Sequence, residues 1–134
     1  MDGDRARGNA ARNRALWITQ GLLALLFLFA GIMKFVTPVE QMNAQAPVKL
    51  SGAFLHFIGV CEILGALGLV LPGLLDIQPG LTPLAAAGLV IIMLGAVVLP
   101  LMAGTLMPAL FPLAVGLLLA WVAHARRSPA TPTA

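Results

Sequence analysis

Glu62 is a carboxylic acid inside an otherwise apolar run, residues 54–71, FLHFIGVCEILGALGLVL. At about 1.5 Å per residue a helix over this run covers roughly 27 Å, close to the hydrocarbon thickness of a bilayer. A carboxylate at that depth costs at least about 2.5 kcal/mol on insertion scales, so it must face protein or water. Such a group can exchange a proton with a substrate, or pair with a cation to hold a structure or a ligand. A candidate cation is Lys34, at the end of the preceding apolar run. Counted inward from Phe54, His56 lies about 3 Å deep and Glu62 about 12 Å deep. A lysine stem spans several ångströms, so a Lys34–Glu62 contact is within reach. The sequence therefore predicts an intramembrane polar cluster of Lys34, His56 and Glu62, with Gln41 or Gln45 above it.

Each of these residues also has a purely structural reading. Glu62 can serve as a helix-packing or assembly device. Lys34 can snorkel to the interface with its stem in apolar surroundings. His56 and Glu62 are six residues apart, about 120° around a helix, which makes a joint acid–base pair a poor fit and suits His56 to the water level. Cys61, the single cysteine, reads as a small packing residue, and alone it forms neither an intrachain disulfide nor a CxxC centre. His124 belongs to the charge belt after the last apolar run. Gly59, Gly65 and Gly68 form a row at i+3 spacing with Glu62, a groove for a neighbouring helix that also shields the acid. Gly31, Gly88 and Gly95 are read as further close-packing positions. No metal-ligand cluster, glycine-rich phosphate loop or G-x-S-x-G elbow occurs, so no metal site is expected.

The elements that must position these groups follow from composition. Of 134 residues, 60% are hydrophobic and 10% charged, a balance that a small water-soluble domain cannot cover. The expected fold is an all-α membrane protein: a four-transmembrane-helix bundle with a short amphipathic helix in the first outward loop. Residues 1–15 read as a disordered basic tail, 16–124 as the membrane domain, and 125–134 as a second disordered tail. The spans are placed at about 16–35, 54–71, 83–99 and 106–123. A signal peptide is rejected for the first, because its apolar run is too long and no convincing cleavage site follows. Thr37-Pro38-Val39-Glu40 fits a capping box that starts a helix reaching Ala46, with Val39, Met42 and Ala46 on one face, and Pro47 stops it. Ser51 caps the second span, and Thr82-Pro83 opens the third.

Four spans place both termini on one side. That side carries six of the eight basic residues, all arginine, and the other carries Lys34 and Lys49. The positive-inside rule puts the termini in the cytoplasm of an inner (plasma) membrane. His56 and His124 then lie on opposite sides, which excludes a haem between them. The formal net charge of +3, concentrated at the termini, gives no support to nucleic-acid binding.

At these positions the chain resembles a known family. Ala30-Gly31-Ile32-Met33-Lys34-Phe35 is similar to the A-G-x-x-K-[FL] signature of the DoxX-like family. Gly59-Val60-Cys61-Glu62-Ile63-Leu64-Gly65-Ala66-Leu67-Gly68-Leu69 resembles its G-x-x-E-[IL]-x-G-A-x-G-L element. Leu81 to Leu89 and Met93 to Val98 resemble its third-span pattern. The resemblance implies a compact four-helix membrane bundle. It also implies kinship with membrane subunits of quinone- or thiosulfate-linked oxidoreductases and with partners in redox-protective complexes. Many such proteins carry a histidine and basic residues just after the third span. Here that place reads Leu99-Pro100-Leu101-Met102-Ala103-Gly104, with neither.

Three functional readings follow from the sequence. The first is an accessory or scaffold subunit of a membrane redox system without its own redox centre, its outward loop meeting a protein partner. The second is a component that binds quinone or a small hydrophobic ligand through Glu62 and Lys34. The third is an oligomeric transporter, and a homo-oligomer is compatible with all three. No self-sufficient catalytic constellation is present, and no cofactor other than quinone is implied. The topology is directly testable. An alkaline-phosphatase fusion after Lys49 should be active and a fluorescent-protein fusion at the C-terminus should glow. The opposite pattern reverses the orientation.

Overall fold

The computed structural model describes residues 2–45, 49–78 and 80–127. Within them the chain is all-helical: α1 (Asp2–Val36), α2 (Val39–Gln45), α3 (Gly52–Leu74), α4 (Leu81–Met102) and α5 (Met107–Arg127). Helices α1, α3, α4 and α5 are each long and apolar enough to cross a membrane, and α2 lies between the first two. In lipid no water is available to bond free amides, so each crossing must satisfy its backbone within its own helix. The Ser51 hydroxyl accepts from the Phe54 amide at 3.2 Å and caps α3 as its sequence position predicts.

The helices run longer than the apolar runs that nominate them. Residues 2–15, expected as part of a disordered tail, are the first turns of α1, and 3–15 stand exposed. Alanine and arginine are good helix formers, and a helix already nucleated by an apolar span extends at one hydrogen bond per residue. At about 1.5 Å per residue α1 is then roughly 52 Å long, well beyond the hydrocarbon layer. Pro72 and Pro100, each just past an expected span end at 71 or 99, lie inside α3 and α4 near their last turns. Each removes one amide, and their carbonyls accept from Ile77 and Thr105 in the turns that follow. Helix α4 begins at Leu81 with Gly80 at its N-cap, so Thr82 is a buried helical residue rather than the cap. Helix α2 begins one residue after Pro38. The expected helix end at Ala46, the stop at Pro47 and most of the C-terminal tail (128–134) lie outside the described residues.

Helices pack in the order α1–α3–α4–α5, and α5 returns to touch α1. The close-packed core lies in the half of the bundle nearest the termini. It joins Leu16, Leu23 and Phe27 of α1, Leu69 of α3, Leu89 of α4, and Leu119 and Val122 of α5. The other half holds the start of α3, the end of α4 and the start of α5, and Pro100, Pro108 and Pro112 occur on the latter two.

The glycine row on α3 turns as it descends. Each i+3 step falls 60° short of a full turn, so residues 59 and 68 face opposite sides of the helix. A Cβ on Gly59 would meet the Gly31 carbonyl oxygen at 3.1 Å, on α1. A Cβ on Gly65 or Gly68 would meet Leu89 or Ala85 at 2.7 Å, on α4. Glu62, between them, points into the bundle. Gly31 answers Gly59: a Cβ there would meet the Gly59 carbonyl oxygen at 2.8 Å. Gly88 and Gly95, expected at helix contacts, have open space where a Cβ would stand. Gly88 is exposed on α4, and Gly95 borders open space between the helices instead of a packed neighbour.

This contrast sets a test. Gly31→Ala pushes backbone against backbone and should destabilise the bundle by about 1–3 kcal/mol, the usual range for overpacking. Gly88→Ala should be neutral or slightly stabilising. Thermal unfolding in mild detergent reads both, and equal effects would contradict the seam.

Candidate functional site

The α1–α3 seam brings Lys34 and Glu62 together. Lys34 sits three residues after Gly31, and Glu62 three residues after Gly59, so the glycine contact sets the height at which the charges meet. The Lys34 Nζ lies 2.9 Å from Glu62 Oε1 and donates to Oε2 at 3.2 Å. The Glu62 side chain is 4% exposed and that of Lys34 23%. The pair is thus an acid taken out of solvent and a base with one side still open. It is the one ion pair among the described residues.

His56 does not join it. Its ring stacks on Phe35, with centroids 5.1 Å apart and planes 10° from parallel. The 120° offset between positions 56 and 62 on α3 accounts for this separation. Gln41 is exposed on α2, and among the described residues no hydrogen bond links it to the pair. The side chain of Gln45 lies outside the described residues. Cys61 is half-buried and His124 exposed.

Beside the ion pair opens a cavity of about 600 Å³. All four spanning helices contribute to its wall, with Phe27 and Ala30 from α1, Ile58 from α3, Ala96 from α4 and Phe111 from α5. Leu50, just before α3, lies at its rim. Among the described residues, Lys34 and Glu62 are the only ionisable ones in this wall. Leu50 is held in both directions by Asn43 of α2: the Asn43 amide donates to the Leu50 carbonyl at 2.8 Å, and the Leu50 amide donates to Asn43 Oδ1 at 2.9 Å. The short helix is thereby fixed to the cavity's edge. An apolar chamber with one polar pair can hold a lipid-soluble molecule and orient it by a single polar atom.

A second polar centre lies at the terminal end of the bundle, which sequence reasoning passed over. Gln20 of α1 is 1% exposed. Its amide donates to the Leu69 carbonyl of α3, and its Oε1 accepts from Arg126 Nε of α5 at 2.7 Å. Arg126 Nη1 donates to Asn13 Oδ1 at 2.9 Å, and the guanidinium lies 5.4 Å from the Trp17 ring centroid. One side-chain network therefore ties α1, α3 and α5. The signal was present in the sequence, since Asn9, Asn13, Trp17 and Gln20 recur at helical spacing on one stripe of α1. The stripe shows only when residues 1–15 are helical, and their polar composition reads as a tail.

Removing one partner of the ion pair strands the other charge. Glu62→Gln leaves behind Lys34, which is 23% exposed, and should cost about 1–3 kcal/mol, whereas Lys34→Met strands the buried carboxylate and should cost about 3–5 kcal/mol. The double variant Lys34→Met/Glu62→Met should recover much of that loss in a thermal double-mutant cycle. Strictly additive effects would mean the two charges do not support one another.

The family model described as the DoxX-like family matches residues 18–123. Comparison with curated proteins finds no match, and neither does comparison with solved structures. The matched stretch takes in all four apolar spans together with the Lys34–Glu62 pair and the cavity beside it. This integral membrane protein therefore belongs to the DoxX-like family.

Proposed function

We propose that this protein binds a small lipid-soluble molecule bearing a polar oxygen, of the quinone class, in the cavity beside Lys34 and Glu62. The observation that carries the reading is the cavity itself. Its volume of about 600 Å³ falls within the range of about 300–1,000 Å³ usual for ligand sites. The Lys34 ammonium has three donors, and the two oxygens of Glu62 leave one free for a ligand carbonyl. Glu62 stands beside that position as a proton acceptor or donor. The apolar wall takes the ring and tail and excludes water.

In this reading the chain supplies a binding site within a membrane redox system, and a partner protein supplies the redox centre. The accessory-subunit role favoured by the sequence thus gains a chemical task. The termini and the arginine-rich end lie in the cytoplasm, and the cavity opens toward the other face of the inner membrane. A transport role draws less support, because Leu69, Leu89 and Leu119 fill the half of the bundle below the cavity.

Equilibrium dialysis of a radiolabelled short-chain quinone against the protein in nanodiscs tests this. Saturable binding is expected, weakened about tenfold in Glu62→Gln, the loss typical of a hydrogen bond to a charged group. Ala96→Phe, which fills the chamber, should abolish it while the protein stays folded. Absence of saturable binding by the wild type would refute the proposal.

A further inference from the structure

The terminal polar centre encloses a separate cavity of about 410 Å³, at the opposite end of the bundle from the ion pair. Arg12, Asn13 and Gln20 of α1, Thr82 of α4 and Arg126 of α5 stand in its wall. We propose that this cavity is a binding site for a phosphate-ester anion, supplied by a phospholipid headgroup or by free phosphate.

Four observations carry the assignment. Arg126 is held rigid by Gln20 on Nε and Asn13 on Nη1, with Trp17 against the guanidinium. Its Nη2 is buried and has no hydrogen-bond partner among the described residues. A buried charged donor left unmet is strongly disfavoured, and an oxyanion satisfies it. Arg12 shares the wall with Arg126, so two cations border one space. The acid present there, Asp76, makes no ion pair with either among the described residues.

Position and chemistry agree. The cavity lies at the end where α1 leaves its apolar span and its arginines begin, the level at which lipid phosphates are concentrated. Basic pockets between spanning helices at that level bind anionic headgroups. A guanidinium presents a planar fork that matches phosphate oxygens. Asp76 repels added negative charge, which favours a singly charged phosphodiester over a doubly charged phosphate. Thr82 adds a buried hydroxyl in the same wall.

Native mass spectrometry of protein exchanged between phosphatidylglycerol and phosphatidylcholine nanodiscs reads the lipid arm. One phosphatidylglycerol should be retained with at least about tenfold preference, as for charge-assisted hydrogen bonds. Arg12→Gln should erase most of that preference, and Arg126→Gln all of it. Arg5→Gln, an arginine outside the cavity, should leave it unchanged. Arg12 makes no hydrogen bond among the described residues, so its variant keeps the test open if Arg126→Gln fails to fold. In the second arm, inorganic phosphate is added to protein in phosphatidylcholine nanodiscs. A rise in melting temperature that Arg12→Gln removes identifies free phosphate as the source and supports the site. Equal losses in Arg5→Gln and Arg12→Gln would reduce the effect to general surface charge and overturn the proposal. So would the absence of both a lipid preference and a phosphate response.

Discussion

A carboxylate 4% exposed within a membrane-spanning helix must have a partner, and much of this bundle is arranged to provide one. Lys34 reaches Glu62 because two helices touch backbone to backbone at Gly31 and Gly59. Larger residues at those positions would hold the helices apart and lift the ammonium out of reach. The seam thus fixes separation, and the ion pair fixes register. Neither is an extra feature added to a finished fold. In lipid, where apolar surface gives little net drive for helix association, such contacts are what select one packing over another.

The two halves of the bundle differ in kind. Near the termini, leucine, valine and phenylalanine from all four spanning helices fill the centre. In the other half the helices part around a chamber, and the ion pair forms part of its wall. Polar groups are placed at each end of this packed plug: Lys34 and Glu62 above it, Gln20 and Arg126 below it. The plug separates the two cavities. Each end therefore has its own chemistry, an apolar chamber with one charged pair and a polar hollow lined by arginine and amide groups.

Much of the architecture was legible in the chain. Four apolar runs, a capping serine before the second and an unpaired acid in its middle are local features, read from residue type and spacing. Helix ends were less legible. Pro72 and Pro100 look like stops, yet a helix loses only one amide to each and can finish its last turn around it. The arginine-rich start looks like a tail, yet it continues α1 because helical hydrogen bonding propagates once nucleated. Gly88 and Gly95 look like packing positions, but spacing alone does not say which face of a helix meets a neighbour.

By itself, then, the sequence determined the class of solvent, the number of crossings and the place of Glu62 midway along its span, because hydropathy and helical periodicity are properties of each segment alone. It also placed Lys34 within reach of that acid, because Lys34 closes the first span at the end where the second begins, and its long stem can reach toward an acid midway along that second span. Only the tertiary structure decided that His56 turns to Phe35 instead, that a chamber opens beside the pair, and that Gln20 joins Arg126 across 106 residues of chain. Those outcomes depend on how helices rotate about their axes and lean on one another. That rotation is set by contacts among all four spans at once, which no single stretch encodes.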